Sequence, residues 1–436
     1  MRIVLTYNSQ SGETPMRIET LLNHVAKFKS FLFVDVELLK EPEVMSTTLM
    51  VRIEPRKNGR PVCSQCGRPG TIYDHQPEPR YFEFIPLWNI PVQFEYRMRR
   101  VNCPHCGVKV EAVPWANGKS PIVNQFATFL ANWAKRMSWS ETADAFRTSW
   151  NTVAQAVKQT VDYGLEHRDL SGITAIGVDE VQYKGGQNYV TLVYQINQCQ
   201  RRLIFVGLER KAKTLLEFFL EFGKERTQNI EVVCSDMWQG YISAIKMKAP
   251  QALHILDRFH IVQMLGKAID KIRNQEIKDL QSKGFETDIL KHTKYCFLKN
   301  EENLTEKQRL RLDDVLKYDL KSVRAYLLKE SFQLFWNYKT PYWAEWYLDK
   351  WCVRANLSRL EPIKTFVRTI KKHQPLIMNW FRAKKEFNSG IVEGLNRRVN
   401  LVTRKSFGFK SYENLRYALF LNLGRLPEPE YAHRFF

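Results

Sequence analysis

Three carboxylates in the sequence could together hold divalent metal ions. Asp179 lies in one apolar run, Asp236 ends another, and Glu393 lies far downstream between two glycines. Mg²⁺ and Mn²⁺ prefer oxygen ligands, and two such ions about 4 Å apart can clamp the attacking and leaving oxygens of a phosphodiester. If the three side chains meet in space, they indicate an enzyme that cuts nucleic acid. Each aspartate also has a simpler interpretation, as a strand-end turn residue for Asp179 and as a helix cap for Asp236.

Four cysteines form a second set with ligand spacing. Cys63 and Cys66 make one C-x-x-C pair, Cys103 and Cys106 make another, and each pair is followed by glycine. Four thiolates suit a tetrahedral structural Zn²⁺, and the glycines allow the tight turns that aim backbone amides at sulfur. The gap of 36 residues between the pairs is longer than usual, so we expect a strand hairpin within it. Disulfides are the alternative, and we expect His105 to be a bystander.

The elements around the first two carboxylates predict a sheet. Asp179 falls in the first of three consecutive strands, and Asp236 ends a fourth strand that follows a helix. The predicted order is strands at 173–181, 189–196 and 202–208, a helix at 212–222, a strand at 230–234, a helix at 237–247 and a strand at 254–256. Three meandering strands followed by alternating helix and strand are typical of the ribonuclease-H-like fold. In that fold the first and fourth strands are neighbours, so the two aspartates should point at a common spot.

A helical region should separate this sheet from Glu393. Residues 259–385 are patterned as long helices, and the aromatic run at 332–336 is expected to be buried packing. Glu393 is itself expected on a helix, where Arg397 falls one turn later on the same face. Residues 380–416 contain nine Lys and Arg but only three acids, which favours a DNA-tracking surface. A solvated basic helix face is the alternative.

Residues 121–168 predict three helices. The first covers 122–135, the second starts behind a Ser140 cap, and the third covers 152–161 after a short turn. This spacing is typical of a helix-turn-helix, in which the later helix enters the major groove, although any three-helix bundle would show the same periodicity.

Composition favours a polyanionic partner and argues against a membrane protein. The 436 residues carry a net charge of +20 and a pI near 9.5. No run of 18 apolar residues occurs, and the N-terminus lacks the long apolar core of a signal peptide. We therefore expect a cytoplasmic, nucleoid-associated protein, in which the scattered Cys199, Cys234, Cys296 and Cys352 are small buried hydrophobes. Met16 is a second candidate for the initiator beside Met1.

Five short motifs in order resemble the DDE transposases of bacterial insertion sequences, within them the ISL-three family. The resemblance covers residues 51–423. The motifs are Gly177-Val178-Asp179-Glu180, Ser235-Asp236-Met237, Asp257-Arg258-Phe259-His260, Ser389-Gly390-Ile391-Val392-Glu393-Gly394-Leu395-Asn396 and Lys405-Ser406-Phe407-Gly408-Phe409. The resemblance implies that Asp179, Asp236 and Glu393 are the family's metal-binding carboxylates, at spacings of 57 and 157 residues.

The resemblance also predicts the fold class, a multidomain α+β protein. Its parts would be an N-terminal segment at 1–50, a zinc ribbon at 51–115, a helix-turn-helix bundle at 116–168 and a ribonuclease-H-like domain at 169–436 with a helical insertion at about 260–385. Asp257 and His260 would support the active site or position DNA, with a helix cap and a packed histidine as the alternative. Glu180 should point to the opposite face of its strand. The candidate DNA contacts are Arg397, Arg398, Arg404, Lys405 and Lys410.

The function implied is binding of the element's terminal inverted repeats, cleavage at the element ends and transfer of 3′ ends into target DNA. Joining two ends implies a homodimer or higher oligomer. The alternatives are a nuclease of the same fold that does not transfer strands, and a regulator that uses only its zinc and helix-turn-helix modules. The intact carboxylate triad argues against the regulator.

Overall fold

The computed structural model of the chain describes residues 18–41, 46–186, 188–198, 200–384 and 390–429. Its contacts divide the chain into two units, residues 170–403 and residues 1–169 with 404–436. Both candidate start methionines, Cys199 and the first residue of the Ser389–Asn396 motif lie outside the described residues.

The first unit contains a helix, α1 (Ile18–Val25), and a mixed sheet. The sheet has the order β1-β2-β5-β4, and a smaller antiparallel sheet has the order β3-β6-β7. The strands are β1 (Phe31–Glu41), β2 (Ser46–Pro55), β3 (Thr71–His75), β4 (Arg80–Leu87), β5 (Ile90–Tyr96), β6 (Arg99–Cys103) and β7 (Gly107–Val110). Trp115 is fully buried over the larger sheet, where its ring meets those of Phe31, Phe82 and Tyr96.

The hairpin predicted between the two cysteine pairs is confirmed. Strands β4 and β5 pair antiparallel and are joined by Trp88 and Asn89, whose φ angles are 48° and 65°. Two successive residues with positive φ match the right-handed twist of the flanking strands, as in type I′ turns. The hairpin joins the larger sheet, so the sequence between the two cysteine pairs contributes side chains to the hydrophobic core of that sheet.

Three helices follow: α2 (Asn124–Ala134), α3 (Trp139–Ala145) and α4 (Trp150–Glu166). The predicted Ser140 cap is wrong, because α3 begins behind Ser138. The Ser138 hydroxyl accepts from the Glu141 amide at 3.2 Å, and the Glu141 carboxylate accepts from the Ser138 amide at 2.7 Å. This reciprocal capping box satisfies two helix-start donors, which Ser140 could not do from inside the first turn.

The second unit is built on a five-stranded sheet of order β10-β9-β8-β11-β12. Its elements are β8 (Ala175–Lys184), β9 (Asn188–Gln195), β10 (Arg202–Leu208), α5 (Ala212–Phe222), α6 (Lys224–Gln228), β11 (Val232–Ser235), α7 (Gln239–Lys248) and β12 (Leu253–Leu256). Strands β8 to β10 are antiparallel neighbours, whereas β11 lies parallel between β8 and β12. The predicted adjacency of the first and fourth strands of this sheet is therefore confirmed.

The helical character predicted for residues 259–385 is confirmed for the part that the structure describes. The helices are α8 (Arg258–Ser282), α9 (Lys294–Leu298), α10 (Glu306–Leu316), α11 (Lys321–Gln333), α12 (Pro341–Leu357) and α13 (Glu361–Arg382). Phe332, Phe335 and Trp336 are buried, as expected for packing. Helix α13 returns to the sheet, where the Asn379 amide donates to the His254 carbonyl at 2.8 Å. Two further helices follow in the described residues, α14 (Gly390–Lys405) and α15 (Tyr412–Leu423).

Candidate active site

Several acids lie at the end of the sheet where β11 and β12 have their carboxyl ends. Asp236 follows β11, Asp257 follows β12, and Asp179 lies in the neighbouring strand β8. We call this end of the sheet the acidic edge. Cys234 in β11 pairs with Gly177 in β8 in parallel register, and Asp236 and Asp179 lie two residues further along their chains. Asp257 follows β12, and its amide donates to the Ser235 carbonyl at 2.8 Å. Parallel strands carry in-register residues on the same face, so this pairing favours the proximity that the sequence predicted.

Asp179 is held by two donors in a largely buried position. Its Oδ1 accepts from the Glu180 amide at 2.8 Å, and its Oδ2 accepts from the Asn396 side-chain amide at 2.6 Å. Burial raises the pKa of Asp179 to about 6, since removal from water disfavours the charged form more than these hydrogen bonds favour it. A divalent cation would relieve this penalty by neutralising the carboxylate.

Asn396 connects Asp179 to the helix that carries Glu393. The buried Tyr194 hydroxyl donates to Asn396 Oδ1 at 2.7 Å, which leaves the amide NH₂ to face Asp179. Beside it, a Cβ placed on Gly177 would lie 2.5 Å from Val392 Cγ2. The missing side chain at Gly177 therefore lets α14 pack closely against β8.

Glu393 lies on the same helix, one turn before Asn396. Its Oε1 forms an ion pair with Arg397 Nη2 at 2.7 Å, and both side chains are well exposed, at 41% and 76%. The predicted spacing of Glu393 and Arg397 on one helix face is thus observed. The structure places α14 against Asp179, but the carboxylate of Glu393 itself is directed to Arg397.

Asp236 is almost fully buried, and each of its two carboxylate oxygens has a protein donor. Its Oδ1 accepts from the Trp238 amide at 2.9 Å, and its Oδ2 pairs with Arg210 Nη2 at 2.7 Å. Arg210 also pairs through Nε with Glu180 Oε1 at 2.8 Å. Glu180, expected on the opposite strand face, is therefore linked to Asp236 by a shared guanidinium. Burial, followed by the nearby Asp236 charge, raises the pKa of Glu180 to about 7.

Asp257 and His260 form a pair at the start of α8. Asp257 caps the helix by accepting from the Phe259 amide at 2.7 Å, and its other oxygen lies 2.9 Å from His260 Nδ1. This hydrogen bond raises the pKa of His260 to about 9, with the Asp257, Asp179 and Asp236 charges acting in the same direction. His260 is therefore a cation at neutral pH beside the acidic edge.

The carboxylate oxygens at the acidic edge are the ligand type that a hard divalent ion prefers. In the present geometry, however, the three carboxylates do not converge on one point. Among the described residues, the group of metal-ligating side chains whose donor atoms all lie within 4.8 Å of one another is the four-cysteine set, and the three carboxylates do not form such a group. Glu393 would need a new rotamer away from Arg397, and Asp236 would need to exchange Arg210 for the ion.

The four-cysteine set fits a tetrahedral thiophilic metal. Cys63, Cys66, Cys103 and Cys106 converge, with Cys66 and Cys103 sulfurs 3.6 Å apart, and His105 is outside the set as expected. The glycine after each pair has a positive φ, 69° at Gly67 and 70° at Gly107. Backbone amides of residues 105 and 106 lower the pKa of the Cys103 thiol to about 6, which favours the thiolate. The other described cysteines, Cys234, Cys296 and Cys352, are buried and unpaired, as predicted.

The predicted DNA-contacting residues differ in their surroundings. Arg398, Arg404 and Lys410 are exposed, whereas Lys405 is half-buried. Lys405 Nζ donates to the carbonyls of Ala134 and Lys135 at 3.2 and 3.0 Å, at the C-terminal end of α2. A lysine there satisfies carbonyls that the helix leaves unpaired, so Lys405 has a structural role within the first unit.

Sequence reasoning missed Arg210 as a site residue. It follows β10 in a turn and belongs to no motif, so only the three-dimensional contacts reveal it. Asn396 ends the motif Glu393-Gly394-Leu395-Asn396, and its spacing of three from Glu393 on a helix is a signal that the sequence offers.

Comparison with known proteins identifies the class and then the family. A model of the DDE transposase family of ISL3 type, described as "Transposase", matches residues 176–419, more than half of the chain. The chain therefore belongs to the ISL3 family of insertion-sequence transposases, which confirms the family inferred from the motifs.

Two known transposases are similar in sequence to this chain over most of their length. The transposase for insertion sequence element IS1001 of Bordetella parapertussis is 26% identical over 380 residues, covering 87% of this chain and 92% of the relative. The transposase for IS1557 of Mycobacterium tuberculosis is 27% identical over 409 residues, covering 89% of this chain and 91% of the relative. Within the described part of the chain, no helix has the length and apolarity needed to cross a bilayer.

Proposed function

We propose that this chain is an active DDE transposase that cleaves the ends of its own insertion sequence and joins the 3′ ends to target DNA. The observation that carries the proposal is the edge of the β8-β11-β12 sheet. There Asp179 and Asp236 follow paired positions of neighbouring strands, and Asn396 ties the Glu393 helix to Asp179. The strand order, three antiparallel strands followed by two parallel ones, supports a ribonuclease-H-like catalytic domain interrupted by α8 to α13.

The catalytic residues in this proposal are Asp179, Asp236 and Glu393, which would hold Mg²⁺ or Mn²⁺. Bound metal would supply Lewis-acid activation of the attacking water or 3′-hydroxyl and stabilisation of the leaving oxygen. Asn396 orients the Asp179 carboxylate, and protonated His260 places positive charge near the same edge. Arg397 would meet DNA phosphate once Glu393 turns toward a metal, since the two side chains are neighbours on α14.

DNA recognition is assigned to the first unit. Helices α3 and α4 are joined by four residues, a turn length typical of a helix-turn-helix, and Arg147 in this turn has a φ of 51°. Helix α4 exposes Asn151, Gln155 and Lys158. A structural Zn²⁺ would hold the loops that carry Cys63, Cys66, Cys103 and Cys106. The net charge of +20 supports double-stranded DNA as the partner, and we expect binding to weaken steeply with salt.

In this proposal the protein acts as a homodimer or higher oligomer that pairs two element ends, in the cytoplasm and associated with the nucleoid. The DNA that it recognises would be terminal inverted repeats flanking its own reading frame.

The test uses duplexes taken from both flanks of the coding region, with and without Mg²⁺. We expect nicking at the repeat ends and, with a target plasmid, joined products. Asp179→Asn and Glu393→Gln should abolish both products while leaving mobility-shift binding to the flank duplexes within about twofold. Asp319→Asn, which changes an aspartate with a side chain 96% exposed, is the matched control. Unchanged cleavage in the first two variants would refute the assignment, and nicking without joining would instead indicate a nuclease.

The zinc assignment has a separate test. Cys63→Ser should lose bound zinc, measured by atomic absorption, and weaken binding to the flank duplexes. A metal-free protein with full binding would contradict it.

A further inference from the structure

Arg210 occupies the position of a cation between two buried acids. Its guanidinium reaches Glu180 through Nε at 2.8 Å and Asp236 through Nη2 at 2.7 Å. The acid side chains are only 11% and 7% exposed, whereas Arg210 is 38% exposed and therefore open to solvent on one side. The two carboxylates are therefore held in the interior, whereas the Arg210 guanidinium that joins them has a path to solvent.

The bridge leaves one acid incompletely satisfied. Oε2 of Glu180 is buried and has no hydrogen-bond partner among the described residues. An unpaired buried carboxylate oxygen is costly, so the Arg210 bridge compensates the burial of Glu180 only in part. Arg210 alone satisfies only Oε1.

Trp238 contacts both Arg210 and Asp236, so each of them keeps a partner if the ion pair between them breaks. Its guanidinium lies 5.4 Å from the centre of the Trp238 ring, a favourable cation–π position. The Trp238 amide meanwhile donates to Oδ1 of Asp236. Asp236 is thus oriented by a backbone donor that does not depend on Arg210, while its Oδ2 is the oxygen that changes partner.

We propose that Arg210 is a positioning residue that holds Asp236 and Glu180 together in the metal-free protein, on the side of Asp236 where a divalent cation would bind. This inference rests on the proposed function, because it assumes that Asp236 is a metal ligand. Arg210 preorganises the two acids in the metal-free protein and competes with the ion that replaces it. Removing Arg210 should therefore destabilise the metal-free protein and strengthen metal binding, whereas an arginine that only adds positive charge near the site would leave metal affinity unchanged when replaced by lysine.

The test measures Mn²⁺ affinity and thermal unfolding of the full zinc-loaded chain. Arg210→Met is expected to bind Mn²⁺ about fivefold more tightly than the wild type, because a competing positive charge has gone. Its unfolding midpoint should fall without Mn²⁺ and recover more than that of the wild type when Mn²⁺ is added. Lys211→Met is the matched control, since it removes the same charge one residue away from a solvent-exposed pair with Glu209 and should change neither quantity.

A second variant protects the test against misfolding. Arg210→Lys keeps the charge but cannot bridge both acids, so it should bind Mn²⁺ more tightly than the wild type and less tightly than Arg210→Met. Equal or weaker Mn²⁺ affinity in both variants, with the wild type binding Mn²⁺, would overturn the role of Arg210 and leave the metal site intact. Wild-type binding no stronger than that of Asp179→Asn would instead overturn the metal site, and this inference with it.

Discussion

Replacing Asp179 with asparagine should stabilise the metal-free protein while removing catalysis. The reason is the raised pKa of Asp179, about 6 against an ordinary value of 3.8. A carboxyl group whose pKa is raised on folding binds more protons in the folded state, so the stability of the fold falls as pH rises from the unfolded to the folded pKa. Above pH 6 the full penalty of keeping the charged group buried is present.

The size of the effect follows from the shift. A change from 3.8 to about 6 corresponds to a penalty of about 3 kcal/mol at pH 8 and about 1.6 kcal/mol at pH 5. Asparagine keeps an oxygen for the Glu180 amide but presents NH₂ to the Asn396 amide, and the lost hydrogen bond costs about 1 kcal/mol. The net gain in unfolding free energy should be about 2 kcal/mol at pH 8 and well under 1 kcal/mol at pH 5.

The assay is urea unfolding in Mg²⁺-free buffer at both pH values, followed by tryptophan fluorescence. Asp319→Asn serves as the control for a solvent-exposed charge and should show no pH-dependent gain. A variant that is less stable than the wild type at pH 8, or that gains equally at pH 5 and pH 8, would refute the reasoning. It would mean that burial of Asp179 is offset elsewhere, and that the site stores no electrostatic strain for a metal to relieve.

Three further changes probe the supports of the site. Tyr194→Phe removes the donor that fixes the amide next to Asp179, and should cost about 1 kcal/mol and raise the Mn²⁺ dissociation constant; an unchanged constant in calorimetry would contradict this positioning role. Asp257→Asn should lower the pKa of His260 from about 9, because it weakens the hydrogen bond that raises this pKa most; NMR of the ring protons would follow it, and a pKa that stays near 9 would show that another charge holds the proton. Gly177→Ala should clash with Val392 and destabilise the fold by about 1–3 kcal/mol, with partial rescue by a second Val392→Ala change; equal losses with and without the second change would exclude this contact as the cause.

Local patterns were enough to predict the sheet that carries the aspartates. The run before Asp179 opens three consecutive short, apolar strands, and an amphipathic helix separates these strands from the run before Asp236, so periodicity identifies each element in turn. Their adjacency followed from strand order, and the observed pairing of Cys234 with Gly177 agrees. The long helical segment before Glu393 was equally clear from its pattern.

Long-range partners were not visible in the sequence. Strand β1, residues 31–41, was not predicted, although it pairs with β2 close by in the chain; the sheet that holds both also needs β5 and β4 from much later in the sequence. Tyr194 and Asn396 are 202 residues apart, and nothing in the sequence near either one indicates their hydrogen bond. The Arg210 bridge is hidden in the same way, since a turn arginine beside Glu209 and Lys211 would be assigned to the solvated surface.

Different supports hold the three proposed metal ligands, and this difference predicts how the site forms. Asp179 is oriented by Asn396 and a backbone amide, and Asp236 by a backbone amide and Arg210, so both are fixed by contacts within the folded unit. Helix α14 is likewise held close to β8, but the Glu393 side chain remains exposed and paired with Arg397. Metal binding by these three carboxylates would need two ion pairs to exchange partners, Asp236 with Arg210 and Glu393 with Arg397. An ion that entered would free two arginines beside the acids, and each would then be available for the phosphates of the DNA that is to be cut.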